Sequence, residues 1–353
     1  MPAPHITFFV EVGSEALVQL FSSGAVTEIL ARGGHGLSMG ILDLTPERAA
    51  IVRELEGRGV PVTAWLLLDV ADGYWLNADN PERGAQRYRE TIDWAEREGL
   101  RLHRIGLDIE FPRDMGKEFY HDQRRAAWKA FRQRRSFGEV HASELAYAAL
   151  VDEIHQAGRT VESYHFPYLI DERASGRALL RRCLALVDVP VDVEVFMLYA
   201  TYLGRSRAHS YFAEAGAIAL GVTGGGVNAD EPQEAPRLLT WERLEEDLLA
   251  ASRHTNQLYV FSLEGCVWRD FLPRFASIDW SAAAHGLAAD GGGLARARRA
   301  RRWLRWAMHA EPLADLLLPS RRGAAAPHAG DAVEEGDGQV EYQGYSPRDA
   351  DGD

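Results

Sequence analysis

Short β-branched or apolar runs, separated by longer stretches of helical periodicity, recur about eight times along the chain, and this alternation constrains the fold more than any other feature. The runs are HITFFVEV (5 to 12), LSMGILD (37 to 43), VPVTAWLLLD (60 to 69), LHRIGLDIE (102 to 110), RTVESYH (159 to 165), VDVEVFMLYA (191 to 200), AIALGVTG (217 to 224) and QLYVFSLE (257 to 264). Between them lie segments such as TPERAAIVRELEGRG and PERGAQRYRETIDWAEREG. Each opens with proline after a capping residue and closes on glycine, as helix termini prefer. Strand-helix alternation implies parallel pairing through right-handed crossovers. Eight units favour a closed (β/α)8 TIM barrel over an open doubly wound sheet.

Two stretches depart from the repeat. Residues 112 to 140 form a charged, helical insertion after the fourth strand, the kind of long barrel loop that shapes a site. Near the C-terminus, an amphipathic basic helix over about 294–309 places Ala300, Trp303, Leu304, Ala307 and Met308 at helical spacing, a face expected to pack on the sheet rather than on a membrane surface. The expected organisation is one barrel domain over 1–319 followed by a disordered acidic tail over 320–353, rich in Gly, Asp, Glu and Pro.

The net charge of −13 argues against nucleic acid as a partner, because phosphate binding wants a basic face. Two cysteines, Cys183 and Cys266, lie far apart without a CxxC pattern, so neither a disulfide framework nor a zinc cluster is indicated. The N-terminus lacks a signal-peptide pattern, and no apolar run approaches the roughly 18 residues of a membrane helix. A cytoplasmic protein without a cofactor is expected; oligomeric state is not readable.

The chemistry concentrates in RIGLDIEFP, residues 104 to 112, where Asp108 and Glu110 interrupt an apolar run. Side chains alternate along a strand, so the two acids share one face and Ile105, Leu107 and Ile109 the other. With the apolar set under the helices, the acids point into the barrel mouth, their Cα atoms about 6.6 Å apart at about 3.3 Å of rise per residue. Two such carboxylates do not easily ionise together, so one becomes a proton donor at neutral pH. The alternative is that one acid merely ties loop amides or an arginine such as Arg113.

The segment IGLDIEFP resembles the D-x-E end of the strand-4 signature of glycoside hydrolase family 18, the chitinase-like barrels. Met197 and Tyr199 in FMLYATY resemble that family's M-x-Y element. The resemblance implies Glu110 as general acid/base, Asp108 as the partner orienting a substrate acetamido group, and Tyr199 as a hydrogen-bond donor beside it. The chain departs from the pattern elsewhere: Arg104 and Gly106 stand where two further aspartates usually precede the pair, and the third strand lacks an S-x-G-G element.

Other strand ends finish in polar groups on the face where barrel enzymes build their sites: Glu11, Asp43, Asp69, His165 and Glu264. Glu11, Asp69, His165 and Glu264 are expected to contact substrate, although Glu264 equally suits loop-tying and Asp43 helix capping. Trp65, Trp75 and Tyr164 stand among aromatics suited to stacking on sugar rings. The glycines of GVTGGGVN (221 to 228) serve either a tight turn or a phosphate cradle. The expected activity is cleavage of a glycosidic bond in a carbohydrate substrate. Two alternatives remain: a divalent-metal barrel acting on a phosphoester or phosphosugar, with the mouth acids and His165 as ligands, and a catalytically silent carbohydrate-binding barrel.

Overall fold

The structure, a computed structural model, describes residues 3–226, 238–285, 292–318 and 320. Eight strands, β1 (His5–Val10), β2 (Gly36–Ile41), β3 (Val62–Leu66), β4 (Arg104–Ile109), β5 (Thr160–His165), β6 (Val193–Met197), β7 (Ala217–Gly221) and β8 (Gln257–Phe261), close in chain order into a barrel. Every neighbouring pair is parallel, with β1 closing onto β8 through the register Thr7↔Tyr259 and Phe9↔Phe261. All eight coincide with the apolar runs of the sequence, but most stop earlier, because the last residues of those runs leave the sheet to build the mouth.

The two faces of each strand feed two cores. Outward residues such as Leu37, Ile105, Leu107 and Phe196 pack beneath the helices. Inward, Phe9, Trp65, Tyr164, Met197 and Tyr259 fill the barrel, with Phe9 edge-on to Tyr164 at 4.8 Å between ring centroids. Gly106 makes room for this filling, since a Cβ there would lie 2.5 Å from the Tyr164 hydroxyl. Below the rings, the buried Glu162 accepts from Thr63 Oγ1 and the Tyr259 hydroxyl, both at 2.8 Å, so this inner acid is satisfied by the wall.

Helix starts follow the local signals. Thr45 caps Pro46–Gly57 by accepting from the Arg48 amide, and Ser136 with Glu139 forms a capping box on Phe137–Gln156. The insertion after β4 is helical over Arg113–His121 and Gln123–Arg132.

The basic helix forms over Gly293–Met308, but it presents a different face from the expected one. It packs on helices Tyr168–Ser175 and Arg205–His209 rather than on the sheet. Ala300, Trp303 and Ala307 are exposed, whereas Arg301 and Met308 are buried. The reason is electrostatic: Asp171 is fully buried, and Arg301 and Arg305 turn inward to pair with it at 3.0 and 2.7 Å. Trp303 and Trp306 are left edge to face on the outside. No helix among the described residues is long and apolar enough to cross a membrane. The acidic tail, apart from Ser320, lies outside the described residues.

Candidate active site at the barrel mouth

The alternation of β4 sends Asp108 and Glu110 into the barrel, at the C-terminal end of the strand. The segment after β3 positions them. Leu76 bridges Ile109, its amide donating to the Asp108 carbonyl at 2.9 Å, while the Glu110 amide donates to the Leu76 carbonyl at 3.0 Å. This short bridge brings Tyr74 and Trp75 onto the mouth, where Trp75 packs against the inner rings. Tyr74 adopts the left-handed conformation, φ +65°, an arrangement that costs about 1–3 kcal/mol in a residue with a side chain. Its hydroxyl donates to Glu11 Oε1 at 2.7 Å.

Asp108 and Glu110 do not hydrogen-bond to each other. Instead the indole of Trp65 donates to Asp108 Oδ2 at 3.1 Å, and Asp108 Oδ1 is buried without a hydrogen-bond partner among the described residues. Glu110 is partly exposed. Desolvation raises the Asp108 pKa well above the usual range, the charges of Glu110 and then Glu11 add to it, and the Trp65 indole opposes it. Desolvation, reinforced by Glu11, pushes Glu110 up to about 8. Among the described residues the charges acting on these two groups are carboxylates, with no guanidinium neutralising them. Burial likewise raises the Tyr199 phenol, with Glu110 and Asp108 next in effect.

Glu264 is fully buried and ties the rim together: its Oε1 accepts from the amides of Gly226 at 3.1 Å and Glu11 at 3.4 Å. Gly226 has φ +80°, and a Cβ there would lie 2.7 Å from both Glu11 Oε2 and the Phe261 ring. The glycine segment thus brings its backbone against the acids, an anion-repelling neighbourhood for a phosphate; Val227 and Asn228 lie outside the described residues.

The remaining expected contacts separate. Trp65, Trp75 and Met197 are on the inner wall or the rim. Tyr164 is inward but sealed in the filling below the acids, 1% exposed, with its hydroxyl 2.6 Å from Ser38 Oγ, so it supports the floor rather than touching substrate. His165 has the opposite parity to Tyr164 and points outward, its ring 6.2 Å from Phe196, where desolvation lowers its pKa to about 4. Asp69 lies on the exposed turn at Val70–Asp72, 4.0 Å from Arg83. Burial alone would raise Asp43, but hydrogen bonds and ion pairing with Arg48 hold it well below the usual range. Among the described residues no group of three or more His, Cys, Asp or Glu is arranged to hold a metal ion.

Sequence reasoning did not pair Tyr74 with Glu11, the Phe261 ring with Tyr199 at 5.8 Å, or Phe166, one of the aromatics expected near the mouth, with Phe111, on which it stacks at 4.8 Å. Strand parity was available for Phe166 and Phe261; nothing in the sequence marks the left-handed turn at Tyr74. A surface cavity of about 760 Å³, lined by Arg173, Asp192, Glu194 and Gln257 among others, opens at the opposite end of the barrel. Its arginine is already paired with Asp188 and Glu194, and the active-end chemistry of barrels argues for the mouth instead.

No protein-family model matches the chain, and no curated protein matches it. Among solved structures, a xylose isomerase domain protein from Planctomyces limnophilus is 12% identical with a TM-score of 0.45, covering 80% of this chain and 100% of that one. The PgaB (BpsB) glycoside hydrolase domain from Bordetella bronchiseptica is 9% identical with a TM-score of 0.43, covering 77% and 99%. An L-ribulose 3-epimerase is 14% identical with a TM-score of 0.39, covering 90% and 99%. Likeness at this level carries no argument about activity; the barrel stands on its own strand pairing.

Proposed function

We propose that this protein is a glycoside hydrolase-like enzyme in which Glu110 protonates the leaving oxygen of a glycosidic bond. What supports the reading is the pair Asp108 and Glu110 on one face at the C-terminal end of β4, with Asp108 Oδ2 accepting from the Trp65 indole and both carboxyls raised by desolvation. A carboxyl with its pKa near 8 holds its proton at neutral pH and yields it to an alkoxide-like leaving group. Asp108, also raised by burial, balances the positive charge at the anomeric carbon only in its ionised form, which the Trp65 indole and that developing charge both favour. The rings of Trp75, Phe111 and Phe166 offer apolar faces to a sugar. In the substrate-assisted form that the family 18 resemblance implies, Asp108 and Tyr199 would hold an acetamido group; the acid role of Glu110 does not depend on it.

Glu110→Gln, which preserves shape and removes the proton, tests this. On a panel of glycans hydrolysed by the wild type, the variant is expected to lose at least about a hundredfold in kcat while retaining sugar binding; undiminished turnover would eliminate the assignment. The metal-dependent reading has less support, because Asp43, Asp69 and His165 each point elsewhere.

A further inference from the structure

The mouth gathers more carboxyl groups than acid catalysis needs. Glu110 and Asp108 account for the proposed chemistry, yet Glu11, held by Tyr74, acts on both, and the buried Glu264 lies against the Glu11 backbone. Concentrating carboxyls where water is scarce raises their pKa values, and a cationic ligand favours their ionised forms.

A second observation points to the same ligand: Asp108 Oδ1, on a side chain 2% exposed and directed into the barrel, has no hydrogen-bond donor among the described residues, although Oδ2 has the Trp65 indole. A buried acceptor atom of this kind suits an N–H or O–H of the substrate. A compact cation with several donors fits both observations. A bare metal ion does not, since no group of three or more ligating side chains is arranged for one among the described residues.

We infer that the mouth recognises a protonated amine on its sugar substrate, the ammonium donating to Asp108 Oδ1 between Glu110 and Glu11. This rests on the glycosidase reading of the same site and narrows it to glycosides bearing a free amino group, as opposed to neutral or N-acylated sugars. An ammonium has three donors and a full charge, whereas an acetamido nitrogen has one donor and none. Its arrival favours the ionised form of each carboxyl, so uptake releases protons.

The test uses the full chain and three monosaccharide probes, glucosamine, N-acetylglucosamine and glucose, titrated calorimetrically at mildly acidic pH in two buffers of different ionisation heat. Glucosamine is expected to bind at least about tenfold more tightly than either other sugar, the scale of one charge-assisted hydrogen bond, with proton release. Asp108→Asn and Glu11→Gln are each expected to erase the preference while glucose binding persists; two variants guard against one that fails to fold. Equal affinities, tighter N-acetylglucosamine, a preference surviving in both variants, or no binding of glucosamine would overturn the inference. An amine preference without hydrolysis of any glycan would sink only the glycosidase reading. Hydrolysis without an amine preference would sink only this inference.

Discussion

Replacing Glu264 by glutamine should change how stability depends on pH, in a direction and size that follow from its burial. Glu264 is fully buried; desolvation is the main cause that lifts its pKa from 4.5 to about 8, with hydrogen bonds opposing and Glu11 adding to the rise. A carboxyl with a raised folded pKa binds more protons folded than unfolded. Its stabilising contribution is therefore complete below 4.5 and lost as pH rises through about 8. At about 1.36 kcal/mol per pH unit, the loss across that window amounts to at most about 5 kcal/mol. Glutamine keeps the acceptor for the Glu11 and Gly226 amides and cannot ionise. Its new amide faces the position of Glu264 Oε2, which has no partner among the described residues, at a pH-independent cost of about 1–3 kcal/mol. Urea unfolding of both proteins at intervals between pH 5 and pH 9 should thus show the variant gaining on the wild type with rising pH, then a constant difference above the folded pKa. Parallel stability profiles would refute the reasoning, because they would mean that Glu264 titrates alike in folded and unfolded chains.

Trp65→Phe removes the indole donor that favours ionised Asp108, so the Asp108 titration should move upward by about one pH unit, followed by carbon NMR of labelled aspartate; a downward move or none contradicts the contact. Arg301→Met leaves the buried Asp171 with Arg305 and the Tyr211 hydroxyl alone, and should destabilise the fold by about 3 kcal/mol in denaturant titration. His165→Leu, changing a ring that faces the helices, should leave glycan affinity unchanged; a tenfold or greater loss, of about 1.4 kcal/mol, would return His165 to the mouth.

Much of the architecture was legible because burial writes itself into periodicity. Each strand carries an apolar set for the helices, and the alternate set either fills the barrel or reaches its rim, so Asp108 and Glu110 could be assigned to one face from spacing alone. The same parity, applied strictly, turns His165 away from Tyr164, and here the proximity of a histidine to a strand end outweighed the alternation that the strand imposes. The helix near the C-terminus misled for another reason. Its apolar residues do form a stripe, but the buried charge of Asp171 on another helix rewards inward arginines more than inward tryptophans.

By itself, then, the order of residues determined the parallel barrel, its eight strand positions, and the inward direction of the two acids, since these depend on local periodicity and on which side chains avoid water. Only the tertiary structure decided which groups meet: Trp65 with Asp108, Tyr74 with Glu11, Gly226 with Glu264, and Asp43 with Arg48 instead of the mouth. Those pairings join segments distant in the chain, where the choice of partner depends on distance, direction and desolvation in space, quantities that spacing along a sequence does not encode.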